Sequence, residues 1–355
     1  MRLLILPGDG IGPEITQATR TVLETADARY SLGLQLEERV IGWQAYNQHG
    51  TTLPDGVLER ARAVDGIVLG PISHLDYPAR GQGGVNVSAA IRVGLDLFAN
   101  TRPARTRLGL PHRGSEMDLV IVREATEGFY PDRNMVAGSG EFMPTADVAL
   151  SMRKITRPAC RRIAEVAFAM ARKRRQKVTA VHKANNFILT DGLFLEEVRA
   201  AAQRYPEVAL EEEIVDAMAA KLVRDASRYD VICATNFHGD ILSDLAAELA
   251  GGLGLGGAIN AGTALVCAQA QHGSAPDIAG QDKANPGALM QSVAMMLAWL
   301  AERHDWPAGQ EASAAIEQAL DQAVSRRETR TADLGGTLST SAFACLVARL
   351  IRDGV

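Results

Sequence analysis

The sequence predicts an α/β protein with parallel strands and irregular insertions. Short apolar runs at residues 2–6, 66–69, 120–122 and 178–181 alternate with longer stretches of helical apolar period along the whole chain. Several of these runs end in glycine or proline turns, such as Pro7-Gly-Asp-Gly-Ile-Gly12 and Gly70-Pro71. No internal repeat or low-complexity linker interrupts the alternation. At 355 residues the chain is long enough for two domains and a sizeable core.

Composition narrows the function. A hydrophobic fraction of 47% and a charged fraction of 22% are ordinary for a soluble globular protein. The net charge of -5 disfavours a binder of nucleic-acid backbone, so an anion site must be local. Cys160, Cys233, Cys267 and Cys345 show no paired spacing, which suits reduced thiols rather than a zinc cluster or disulfide scaffold. The apolar run at the N-terminus is too short for a signal peptide and no spanning segment follows. The expectation is a cytoplasmic protein.

In chain order, the strand at 2–6 breaks at the glycine turn. Pro13 then suits a first helical turn, with Ile15, Ala18, Val22, Leu23 and Ala26 as the apolar stripe. The turn glycines could let backbone N–H groups approach a phosphate or ribose, although Gly8-Asp-Gly-Ile-Gly12 is not the dinucleotide fingerprint. A helix is expected from about Val87 into Leu97. Arg92, Arg102 and Arg123 fall on or beside three successive elements and could together clamp a polycarboxylate, because guanidinium forks grip carboxylates bidentately. Residues 131–152, rich in Gly, Pro and small polar types, read as a protruding arm.

Further on, residues 159–172 read as a helix, and the basic run 172–175 as its solvated C-terminal end. The strand at 178–181 delivers His182 and Lys183. A lysine at the end of a buried strand is desolvated, which favours service as a base. A helix is expected over 211–224, placing Asp216 beside Val215, Met218, Ala219 and Leu222. In the helix that follows Thr235, Asp240 and Asp244 are four apart and share one face. Two carboxylates there suit a hard divalent cation such as Mg²⁺ or Mn²⁺; the plainer alternative is a helix cap and a solvated side chain. An Asp in the loop 272–280 can accept both ribose hydroxyls and would repel a ribose phosphate.

These pieces, in this order, resemble the isocitrate/3-isopropylmalate dehydrogenase family of metal-dependent β-decarboxylating dehydrogenases. The match runs from Leu6-Pro-Gly-Asp-Gly-Ile-Gly-Pro-Glu14 and Leu97-Phe-Ala-Asn-Thr-Arg-Pro103 through His182-Lys-Ala-Asn185 and Gly239-Asp-Ile-Leu-Ser-Asp-Leu245. It ends with His272-Gly-Ser-Ala-Pro-Asp277, Ala284-Asn-Pro286 and Asp333-Leu-Gly-Gly336. The resemblance implies two α/β domains that are not Rossmann domains: a large cofactor-binding domain over 1–97 plus 251–355, and a small dimerisation domain over 98–250 with an arm near 131–152. It implies a homodimer with shared active sites.

Carried over, the resemblance assigns substrate carboxylates to Arg92, Arg102 and Arg123, and the substrate's further substituent to positions around Asn86 and Ser88. It assigns Mg²⁺ or Mn²⁺ to Asp240 and Asp244 with Asp216 of the partner subunit, and proton transfers to Lys183, Asp216 and Tyr130. NAD falls to Ile11, Asn185, His272, Gly273, Ser274, Ala275, Asp277 and Asn285. The implied reaction is NAD-dependent oxidative decarboxylation of a 3-substituted (R)-malate. Val85, Ser88 and Ala89 offer little apolar surface, which leans towards an isocitrate or homoisocitrate type. The alternatives are a 3-isopropylmalate dehydrogenase, or oxidation of tartrate or malate. The chain departs from the family after Tyr130, at residues 131–135, and at Gln269, where isopropylmalate dehydrogenases carry a glutamate near the cofactor.

Overall fold

A computed structural model describes residues 1–130 and 140–354. Twelve strands and eleven α-helices occur among them. The strands are β1 (Arg2–Leu6), β2 (Gln35–Glu38), β3 (Gly66–Leu69), β4 (Ala99–Arg105), β5 (Asp118–Glu124), β6 (Glu141–Thr145), β7 (Val148–Ser151), β8 (Lys177–His182), β9 (Ala209–Ile214), β10 (Val231–Ala234), β11 (Ile259–Ala261) and β12 (Val266–Gln269). Two compact units account for the chain. The first comprises residues 1–95, 107–111 and 251–355, and the second 96–106 and 112–250.

In the first unit the strands run β2-β1-β3-β12-β11, parallel except for the β11/β12 pair. Leu3, Leu4, Ile5 and Leu6 are all buried, as a parallel strand covered on both faces requires. Helices Gly12–Tyr30, Gly287–His304, Pro307–Ser325 and Thr340–Asp353 pack around this sheet, and Ile15, Val22, Val293, Leu297, Ile316 and Phe343 share one core. Each such fully buried aliphatic or aromatic side chain contributes about 1.5–3 kcal/mol.

In the second unit the order is β4-β5-β10-β8-β9. Within this run of strands β4 and β5 pair antiparallel and the other neighbours pair in parallel. Helices Arg157–Arg172 and Thr190–Ala202 cover one core, with Ile163, Phe168 and Phe194 fully buried. Met218, Leu222, Leu242 and Leu249 of helices Val215–Arg224 and Asn236–Ala250 belong to another. Strands β6 and β7 form an antiparallel hairpin exposed throughout, with Phe142, Met143, Val148 and Leu150 open to solvent. The first half of the expected arm, residues 131–139, lies outside the described residues.

One expected element is corrected. The helix anticipated over 211–224 begins only at Val215, and residues 209–214 are strand β9, paired in parallel with β8 from Lys177↔Ala209 to His182↔Ile214. Glu211, Glu212 and Glu213 favour a helix locally, but the open edge of β8 offers a continuous ladder of backbone partners. The glutamates then suit an edge strand, where charge discourages further pairing. They find cations in Lys177, Arg199 and Lys221 respectively. Likewise the helix expected to run from Val87 into Leu97 ends at Gly94.

Candidate active site

The second unit gathers five of the expected site residues into one cluster. Arg102 lies on β4, and Arg123 on β5 opposite Asn100. Strand β10, beside β5, feeds directly into helix Asn236–Ala250, which carries Asp240 and Asp244. Arg102 Nη1 donates to Asp244 Oδ1 at 3.1 Å and to Ser243 Oγ at 2.8 Å, lies 3.3 Å from Asp240 Oδ1, and its Nε is held by Asn100 Oδ1. Arg123 pairs with Asp240 and donates twice to Asn236 Oδ1. Tyr130 donates its hydroxyl to Asp240 Oδ2, and the Arg123 guanidinium sits 5.7 Å from the Tyr130 ring centroid.

Gly239 lets the helix come this close, since a Cβ there would stand 2.8 Å from the Cβ and Cγ of Arg123. Asp240 lies within the helix and is not its cap.

Burial within the cluster is uneven. Arg102 and Arg123 are almost fully covered, whereas the Asp240 and Asp244 side chains are 32% and 50% exposed. The cations are therefore fixed and the carboxylates keep an open side. Burial pushes the Asp244 carboxyl above the usual range; Arg102 opposes this and Asp240 adds to it. Among the described residues no third His, Cys, Asp or Glu joins these two closely enough to complete a metal site.

A second ion pair of this unit stands apart in character. Lys183 follows β8 and its Nζ reaches Asp216 Oδ1 at 2.5 Å, with the side chains 26% and 67% exposed. Lys183 is thus only partly desolvated. Its hydrogen bond holds the Asp216 carboxyl below the usual range. Beneath the pair, fully buried Asp191 accepts the Lys183 backbone N–H and pairs with Arg153. His182 Nδ1 accepts the Ala184 N–H, a structural role. Asn185 is exposed in the turn that follows.

The first unit carries the remaining residues. Asn86 caps helix Val87–Gly94 by accepting the Ala89 N–H at 3.1 Å. Ser88 and Arg92, one turn apart, both donate to Gln269 Oε1, at 3.1 and 3.0 Å. Ala89 turns inward and is buried. At the glycine turn the Ile11 N–H donates to the Ser274 carbonyl at 2.8 Å, and a Cβ on Gly10 would stand 2.0 Å from that oxygen. Ser274 Oγ also accepts from Ser73 Oγ.

Asp9 braces the turn, accepting from Trp43 N–H, Ser73 N–H and Tyr77 OH. His272 Nδ1 lies 3.0 Å from the Gly273 carbonyl while its Nε2 is buried without a partner, and burial lowers the pKa of the ring. Ala275 adopts a left-handed conformation, and Asp277 is exposed on the short turn that follows. Asn285 joins Asp333 at 2.9 Å to the first N–H of helix Gly287–His304.

Sequence reading passed over Asn236, Ser243, Asn100 and Asp9. The first two were within reach: positions 236, 240, 243 and 244 form one polar stripe at helical spacing. Asn100 also lay within reach, two residues from Arg102 on the same strand and so on the same face, whereas Asp9 acts through partners distant in sequence and carries no local signal.

Residues 2–347 match the family model described as isocitrate/isopropylmalate dehydrogenase. The isocitrate/homoisocitrate dehydrogenase of Thermus thermophilus is 39% identical over 353 residues, 99% of each chain. The 3-isopropylmalate dehydrogenase of Archaeoglobus fulgidus is 38% identical over 351 residues, also 99% of each chain. The crystal structure of isocitrate dehydrogenase from Methylococcus capsulatus superposes with a TM-score of 0.87 at 37% identity, covering 99% of both chains.

Proposed function

Because the chain belongs to the isocitrate/isopropylmalate dehydrogenase family, and is a dehydrogenase by that membership, we propose that it oxidatively decarboxylates a 3-substituted (R)-malate of isocitrate or homoisocitrate type, using NAD and Mg²⁺ or Mn²⁺. The observation that carries this reading is the cluster of Arg102, Arg123, Asp240, Asp244 and Tyr130. Its two arginines and two aspartates sum to no net charge. A substrate dianion therefore enters most readily together with a dication.

The open carboxylates of Asp240 and Asp244 suit a hard, oxygen-liganded cation, with Asp216 of a partner subunit as the third acid. Bound there, such a cation would supply charge stabilisation at the substrate oxygens, and NAD would supply the hydride acceptor. Arg102 and Arg123, already fixed by Asn100 and Asn236, grip the malate carboxylates, a role that the family resemblance extends to Arg92. Lys183 Nζ, as the neutral amine donating a hydrogen bond to Asp216, takes the hydroxyl proton, and Tyr130 Oη returns a proton to carbon after CO₂ departs. Exposure of the Lys183–Asp216 pair and of the β6/β7 hairpin supports a homodimer in which each chain lends this pair to its twin.

His272 Nε2, buried and unsatisfied, fits a hydrogen bond from the adenosine half of the dinucleotide. Exposed Asp277 suits ribose hydroxyls and opposes a 2′-phosphate. The polar pair Ser88 and Gln269 beside Arg92 favours a carboxylate-bearing substituent.

A second reading, 3-isopropylmalate oxidation, is favoured by the Archaeoglobus relative, which is nearly as similar as the Thermus one. Steady-state kinetics with isocitrate, homoisocitrate, 3-isopropylmalate, malate and tartrate, with CO₂ trapped against NADH formed, separates the readings. A tenfold preference for 3-isopropylmalate would replace the first by the second. NADH without CO₂ would make the enzyme a simple hydroxy-acid dehydrogenase.

A further inference from the structure

We propose that Gln269 is a specificity residue that reads the substrate's C3 substituent through its amide N–H, favouring a carboxylate oxygen there over an alkyl group. The inference rests on the function proposed above and adds to it a residue and a contact.

Gln269 ends β12 and is 8% exposed. Its Oε1 accepts from Arg92 Nη2 at 3.0 Å, Ser88 Oγ at 3.1 Å and Asn260 Nδ2 at 3.4 Å. A guanidinium only donates, so the atom facing Arg92 must be the carbonyl oxygen and not the amide nitrogen. Three donors from two elements then fix the amide, and its Nε2 points away from them. Among the described residues Nε2 donates to nothing. Nε2 is not sealed from solvent, so it is a donor open to a ligand oxygen, and an alkyl group that displaced its water would leave it unsatisfied.

A glutamate here would satisfy the same three donors but would offer the ligand negative charge and no hydrogen. The amide keeps the anchor for Arg92 and Ser88 while presenting a neutral donor beside them. This contact also leaves the charge of Arg92 undiminished for an incoming anion.

The test compares Gln269→Glu and Gln269→Met, both close to the original shape, using isocitrate, malate and NAD as the varied ligands. Gln269→Glu is expected to lower kcat/KM for isocitrate at least tenfold more than for malate, and to leave KM for NAD alone. Gln269→Met, which removes the anchor of Arg92, should lower kcat/KM for both acids. A wild-type measurement that needs no variant accompanies these: 3-isobutylmalate, close in shape to isocitrate but without the third carboxylate, should bind at least tenfold more weakly than isocitrate.

Equal losses for isocitrate and malate in Gln269→Glu would show a merely structural role and overturn the proposal. So would a change confined to KM for NAD, or equal wild-type affinity for the two shapes. Failure of the wild type to oxidise any 3-substituted malate would instead overturn the functional reading beneath it.

Discussion

Two ion clusters of the second unit differ in how much of their chemistry the chain provides by itself. Around Asp240 and Asp244 the arginines are buried, each is held by an asparagine, and the carboxylates are left open. Around Lys183 and Asp216 the buried group is Asp191, one layer below, and the pair itself faces water. In water such a pair contributes little and is screened by salt. The first cluster is preorganised, because its arginines are buried and held in place by asparagines of the same chain. The second gains strength only where something covers it, and on the proposed reading that cover is the partner's site.

The largest effect should follow from breaking the first cluster. Asp240→Asn removes a proposed metal ligand together with the partner of Arg123 and Tyr130. We expect kcat/KM to fall on the order of 10⁴-fold, about 5.5 kcal/mol, with circular dichroism unchanged. Excess chelator should abolish wild-type turnover, and Mg²⁺ or Mn²⁺ should restore it. Full activity in chelator would remove the metal from the proposal.

Breaking the exposed pair should cost less, and mixing chains shows where it acts. Lys183→Met is expected to lower kcat by roughly 10²–10³-fold, with a smaller change in KM. If Lys183 serves the partner's site, refolding Lys183→Met with Asp240→Asn chains restores about a quarter of wild-type activity, because half the dimers carry one intact site. No recovery on mixing would place Lys183 and Asp240 in one chain's site and end the comparison as drawn.

A smaller effect concerns the first unit. Replacing exposed Asp277 by Asn should raise kcat/KM for NADP about tenfold by relieving repulsion of the 2′-phosphate, with a modest loss for NAD. Equal wild-type use of both cofactors would count against Asp277 as the discriminating group.

The smallest effect is a calibration away from both clusters. Buried Glu197 clasps Arg157 at 2.6 Å and Arg161 at 2.9 Å, the latter first in holding its carboxyl below the usual range. A depressed carboxyl stabilises the fold above its unfolded pKa and loses that contribution as pH falls through its folded value. Glu197→Gln should therefore lower Tm at pH 7 by about 2–4 °C and leave kcat unchanged, with the difference closing below about pH 4. A kcat effect as large as that of Lys183→Met would mean that stability losses alone explain both variants.

The local code of the chain was enough for much of this. Buried parallel strands read as unbroken apolar runs, and the helical stripe of Asn236–Ala250 put Asp240 and Asp244 on one face by spacing alone. The order of motifs from Leu6 to Gly336 was enough for the family, whose model matches residues 2–347. Those features depend on residues a few positions apart, where backbone period alone dictates what shares a face.

Tertiary structure decided the rest. Residues 211–214 gave up a helix because β8 lent them an edge, a partner invisible from their own composition. Ala89 turned inward while Ser88 and Arg92 met Gln269, some 180 residues away along the chain. Asn236 became the brace of Arg123 through the pairing of β5 with β10, which feeds the helix that carries it. Helical or strand period determines which way a side chain leaves its own element. What it meets there depends on segments brought alongside by the whole fold, and only the packed chain specifies them.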